Sequence, residues 1–204
     1  MNLKTSVLSL LSAALMLTTL WSCDLLSSGV NFTEADKIQK AAEAVQKHIT
    51  PDMLVYEIQF KYSESSSSFS YVKDNATIVY VDPENPSKRH GIDVDLKSGE
   101  ATTNSFYENS TVISAVKYKG YKVEKVDLVP LANAINETIG LLKDESITTN
   151  GLGSVEVKFG DEPSETVYSF KLQSKTGSTN RGRVTHVTYD EYSFKADYEG
   201  NLLD

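Results

Sequence analysis

Tyr56-Glu57-Ile58-Gln59-Phe60-Lys61-Tyr62 alternates apolar and polar side chains without a break, the period-two pattern of a strand with one buried face. Immediately upstream the period is different. Ile38, Ala41, Ala42, Val45 and Ile49 recur at helical spacing, and Pro51 stops the run. Thr33, with Asp36 three residues on, offers an N-cap. The far side of this helix carries Lys37, Lys40, Glu43 and Lys47, so it wets one face and needs an apolar surface for the other. The strand that follows supplies that surface. Helix beside strand, with turn signals between short alternating runs, predicts an α+β fold.

The same logic extends along the chain. Residues 69–72 and 76–81 read as a hairpin about Lys73-Asp74-Asn75, and Ile92, Val94 and Leu96 alternate with Asp93, Asp95 and Lys97 before a turn at Ser98-Gly99. Residues 111–116 and 121–128 are further strand candidates. Then the pattern restarts. Pro130 suits a first helical position, and Leu131, Ala134, Ile135, Ile139 and Leu142 form the next apolar stripe, weakened by Gly140. Strands are expected over 155–159, 168–172 and 183–189, with a last one placing Tyr192, Phe194 and Ala196 on one face. The expected architecture is two helix-plus-four-strand antiparallel repeats, forming one joined sheet or two abutting ones. The first unit, with extra strands, spans 33–128 and the second 129–204.

The N-terminus reads as an export signal. Lys4 precedes an apolar run over residues 7–17, of signal-peptide length and too short for the roughly 20 residues a membrane span needs. The segment closes on Leu20-Trp21-Ser22-Cys23, which resembles the bacterial lipobox except for Trp21 where a small residue is usual. Residues 1–22 are then a lipoprotein signal peptide, Cys23 is the lipidation site and membrane anchor, and residues 23–32 form a tether. Cys23 is the only cysteine of the chain, so no intramolecular disulfide can form. These features place the protein in the bacterial cell envelope, lipid-anchored and either periplasmic or surface-exposed.

The endings Val94-Asp95-Leu96-Lys97-Ser98-Gly99-Glu100-Ala101 and Ala196-Asp197-Tyr198-Glu199-Gly200-Asn201-Leu202 resemble the close of a PepSY unit. In that family a strand leads into a V-D-x-x-[ST]-G turn. The first copy has Ala101 at the last apolar position; the second is one residue shorter and lacks the Ser/Thr. Tandem units behind a lipoprotein signal are similar to PepSY-like proteins akin to beta-lactamase inhibitory protein. The resemblance implies a helix packed on four antiparallel strands in each unit, and non-catalytic binding or inhibition with no cofactor.

Charge narrows the partners. The chain carries a formal net charge of −8, and the signal removes only one cation, Lys4. Nucleic acid, which requires a basic patch, is an unsuitable partner. His48, His90 and His186 share no metal-pair spacing, and Asp93, Asp95, Ser98 and Glu100 fail the calcium-loop pattern because Lys97 stands in the ligand run. No nucleophile elbow and no phosphate loop are present in the sequence. Neither a catalytic residue nor a metal ligand is therefore assigned, and the chain is read as no enzyme. Tyrosine is the unusual signal: Tyr56, Tyr62, Tyr71, Tyr80, Tyr168 and Tyr192, with Tyr189, all fall in expected strands. They either pack the core with the hydroxyl at its wet edge or line an exposed face suited to protein recognition. On the second reading the first six form the binding face of an anchored binding or inhibitory module acting on an envelope protein. The alternative is a periplasmic carrier or sensor of a small apolar or glycan ligand.

Overall fold

A computed structural model describes residues 29–62, 70–108, 117–181 and 184–204. Ten strands are defined among them: β1 (Val30–Asn31), β2 (Leu54–Lys61), β3 (Val72–Lys73), β4 (Asn75–Val81), β5 (Arg89–Asp95), β6 (Ala101–Thr103), β7 (Gly151–Lys158), β8 (Val167–Arg181), β9 (Val184–Ala196) and β10 (Leu202–Leu203). The helices are α1 (Ala35–Gln46), a short α2 (Ser105–Glu108) and α3 (Val129–Asp144), with a 3-10 turn at Pro163–Glu165. Eight strands make one antiparallel sheet in the order β10-β9-β8-β7-β2-β4-β5-β6. The class is α+β.

The sheet reads outward from a central seam. β2 and β7 pair over Glu57↔Lys158 to Phe60↔Val155. From β2 the chain meanders through β4, β5 and β6; from β7 it meanders through β8, β9 and β10. Alternation sends Ile58, Phe60, Ile78, Val155, Val157 and Phe170 to one face. There they share a core with Ile38 and Val45 of α1 and Leu131 and Ile135 of α3. The two helices touch each other on this face, so a single apolar layer serves both halves of the chain.

Both amphipathic helices form, but α1 ends at Gln46 with Lys47 as its C-cap, so Ile49 falls in the loop before Pro51 and the proline does not end the helix. α1 begins one residue later than Thr33 suggests, with Glu34 at the cap position: Asn31 Oδ1 accepts from the Thr33 amide (3.1 Å) and hydroxyl (3.0 Å), so the asparagine organises the entry and Thr33 is not the cap. Pro130 does sit in the first turn of α3.

Four local expectations are corrected. Residues 29–32, expected as tether, are built into the fold: Val30 pairs with Lys73 in a separate two-stranded ladder and Phe32 is fully buried against Phe60, centroids 5.0 Å apart. The hairpin about Lys73-Asp74-Asn75 does not form, because β3 pairs with β1 while β4 pairs with β2 and β5. Residues 121–128 make a single bridge, Val55↔Tyr121, and no strand. The stretches 184–189 and 192–196 belong to one strand, β9, lying along a similarly long β8, and residue 183 lies outside the described residues. The expected strand at 111–116, Cys23 and residue 69 lie outside the described residues.

Candidate functional site

The helix-bearing face is closed, so the opposite face of the sheet is where this molecule meets its surroundings. Over the β4–β5 side the chain covers that face itself. Gly91 has no side chain, and Tyr107 of α2 packs directly upon it; a Cβ there would come within 2.4 Å of the Tyr107 ring. Asn104 donates to both carboxylate oxygens of Asp93 (2.9 Å each), and Thr77 donates to Asp93 (2.6 Å). These contacts pin α2 to the back of the sheet.

Beside α2 three aromatic rings gather around one cation, and a fourth packs at their edge. The bulge between Val55 and Glu57 releases Tyr56 from strand alternation, and its ring meets Tyr118 edge-on at 5.4 Å. The Arg89 guanidinium lies 4.1 Å from the Tyr118 ring and 5.5 Å from both Tyr56 and Tyr107. Phe106 stands perpendicular to Tyr107 at 5.3 Å and is 73% exposed. A large apolar ring held that far into water by a packed tyrosine is a candidate anchor for a partner. Arginine fixed among tyrosines is pre-organised for recognition, because little rotamer freedom remains to lose. Burial raises the Tyr107 hydroxyl above its ordinary value, and Arg89 partly offsets this.

The β7–β10 side of the same face carries no such cover among the described residues. Glu156, Ser169, Lys171, Ser193 and Lys195, together with Phe170, Phe194 and Leu203, line a shallow depression of about 330 Å³. Lys171 pairs with Glu191 at 3.1 Å. The back of the sheet therefore presents an aromatic–arginine patch on its β4–β5 side and a depression of mixed polar and apolar lining on its β7–β10 side.

A larger cleft, about 730 Å³, opens at one edge between residues 122–130, the loop 159–166 and Tyr198. Phe159, Tyr168, Tyr198, Pro130 and Pro163 provide its apolar surface, and Glu124, Asp127, Asp161 and Glu162 its carboxylates.

The six candidate tyrosines do not gather on one uncovered face. Tyr56 alone joins the patch. Tyr168 is buried, its hydroxyl donating to the Asp127 carbonyl at 2.8 Å, and burial pushes its acidity far down. Tyr62 is locked to the Ser70 carbonyl and amide and lies 3.1 Å from the Leu152 carbonyl, with its pKa pushed up to about 12 by burial. Tyr71 donates to Thr149 (2.6 Å), Tyr80 stacks on His90 at 5.2 Å, and Tyr192 packs against the core. Most of these rings thus serve as pegs with a polar tip. Arg89, Phe106, Tyr107 and Tyr118 are the residues that sequence reading misses. The aromatic residues are conspicuous by type, but nothing in the spacing of positions 56, 89, 107 and 118 announces that they meet.

Among the described residues no group of three or more His, Cys, Asp or Glu side chains is placed to hold a metal ion, and no helix is long and apolar enough to cross a membrane. The chain matches no protein-family model, no curated protein and no solved structure.

Proposed function

We propose that this chain is a lipid-anchored, non-catalytic binding module of the bacterial cell envelope, held by acylated Cys23 and gripping an envelope protein with the back of its sheet. The observation that carries the reading is the Arg89 cluster with its exposed Phe106. Buried aromatic and arginine side chains dominate the energetics of protein interfaces, and here they stand ready at the surface. Capture from detergent-solubilised envelope of the native host tests it. The chain should retain one specific protein, and Phe106→Ala with Arg89→Ala should lose it; an identical capture profile for the double variant would contradict the proposal.

The two halves are read as tandem PepSY-like repeats. Support comes from the strand order, which mirrors about the β2–β7 seam, and from the closing turns. Asp95 accepts from the Lys97 and Ser98 amides, and Gly99, at φ +74, donates back to the Asp95 carbonyl. Asp197 accepts from the Glu199 and Asn201 amides, and Gly200, at φ +93, donates to the Asp197 carbonyl. The second turn is one residue tighter and, like the first, is held by an aspartate that accepts backbone amides and a positive-φ glycine that donates to its carbonyl.

The edge cleft favours a second reading, a carrier or sensor of a small apolar or glycan ligand, because its aromatic and proline walls with carboxylates suit a flat or hydroxylated molecule. Native mass spectrometry of protein from the host would show retained mass on that reading, lost on Tyr198→Ala.

A further inference from the structure

The longest hairpin does not end where the sheet ends. β7 pairs with β8 only as far as Gly151↔Gln173, yet β8 and β9 continue together from Ser174↔Asp190 to Arg181↔Val184. Ser174 still bonds the Thr148 carbonyl (2.8 Å) and the Lys175 amide bonds Asn150 (2.8 Å). From Thr176 outward the two strands pair only with each other among the described residues. Thr176, Ser178, Thr179, His186 and Thr188 are exposed. A ribbon of this kind extends roughly 17–20 Å beyond the sheet, and an isolated pair of strands is marginal in water without something to lie on.

Its chemistry is unlike the rest of the chain. From residue 166 to residue 189 there is no Asp or Glu in a protein that has 28, while Lys171, Lys175, Arg181 and Arg183 fall in that stretch. The carboxylates resume at Asp190 and Glu191, at the ribbon's root. The acid-free stretch of an acidic protein thus includes the part of its longest hairpin that runs past the neighbouring strand.

The position of the N-terminus supplies the partner. Val30 pairs with Lys73, the Lys73 ammonium donates to the Leu152 carbonyl, and Leu152 pairs with Leu172 one step from Gln173. The chain leading back to Cys23 therefore leaves the fold at the same end of the sheet as the ribbon. Six residue steps separate Cys23 from Gly29, a reach of about 20 Å when extended, which matches the length of the ribbon. The geometry points to the β8–β9 ribbon docking on the anionic headgroups of the membrane that carries the Cys23 anchor, so that the anchor attaches the domain and the ribbon sets its orientation. The inference rests on the reading of Cys23 as the lipid attachment point.

Because Cys23 is the only thiol, the anchor can be installed chemically. The chain from Cys23 onward, which carries every described element, is coupled to a maleimide lipid in vesicles of neutral phosphatidylcholine, with or without phosphatidylglycerol. Amide exchange of residues 177–180 and 186–188 should slow about fivefold or more when the anionic lipid is present, the discrimination that one cation gives near such a surface. The slowing should vanish in high salt and in Lys175→Glu with Arg181→Glu, while exchange in β2 and β7 is unchanged. Equal exchange on both vesicle types overturns the inference. So does slowing that depends on protein density and not on lipid charge, which would mean that ribbons pair between copies. Neither result depends on whether the host acylates Cys23, which mass spectrometry of native material decides separately.

Discussion

Lys73 is the residue under the greatest electrostatic load. It is fully buried, its ammonium sits 3.6 Å from the Tyr62 ring centroid, and its neighbour Asp74 is already engaged with Lys97 at 3.1 Å. Burial lowers its pKa to about 7, with Asp74 opposing the shift. Between about pH 7 and the ordinary lysine value the unfolded chain holds the proton more tightly than the folded one. Stability should therefore climb as pH rises through that window, by a few kcal/mol in all, and level off below pH 7. Urea unfolding at pH 6.5, 8 and 9.5 should show this rise, and Lys73→Met should abolish it; equal slopes in both proteins would contradict the assignment. The turn glycines give a second residue-level contrast. Gly99→Ala meets nothing within 4 Å and adds only the strain of its positive φ, about 1 kcal/mol. Gly200→Ala adds the same strain and drives a Cβ to 2.6 Å from the Pro130 carbonyl, so it should cost at least 1 kcal/mol more, read as the difference between two thermal midpoints.

At the scale of elements, α1, α3 and the strands β2, β5 and β7 are legible because each buries one face, and one-sided burial is what periodicity records; β4, buried on both faces, shows instead as a short apolar, β-branched run. Two kinds of element are not legible. β1 and β3 are two residues each, too short for any period, and exist because Val30 and Phe32 find the core. The outer half of β8 is the other: Ser174 to Thr179 is wet on both faces and shows no alternation, so the expected strand stops at residue 172, whereas its partner in β9 is expected from residue 183 on. The Arg89 cluster escaped for a different reason. Its members come from a bulge in β2, the first residue of β5, α2 and a connector, and only the register of β4 with β5 and the missing side chain at Gly91 bring them together. That geometry makes a prediction. Gly91→Ala should displace Tyr107 and α2, costing about 1–3 kcal/mol and dispersing the patch, visible as a changed near-ultraviolet tyrosine spectrum with the far-ultraviolet signal intact. An unchanged tyrosine spectrum would show that α2 does not rest there.

At the scale of the molecule, the β2–β7 seam and the shared helix layer make the two halves one cooperative body. Phe60 pairs with Val155 across the seam while Ile38 and Ile135 lie in the same apolar cluster, so a half cut at residue 128 would expose both a strand edge and a helix face. Residues 29–128 and 129–204 made separately should each fail to give dispersed amide resonances, and the whole chain should unfold in one transition; a folded isolated half would contradict this. The same layering leaves the back of the sheet open to a partner, and Phe106 stands out from it. Photo-crosslinking in the living host from a benzophenone side chain placed at residue 106, with the exposed Leu141 of α3 as the control position, is the direct measurement. The binding reading predicts one distinct adduct from position 106, lost on Arg89→Ala and absent from position 141. No adduct at 106, or the same adducts from both positions, would contradict it.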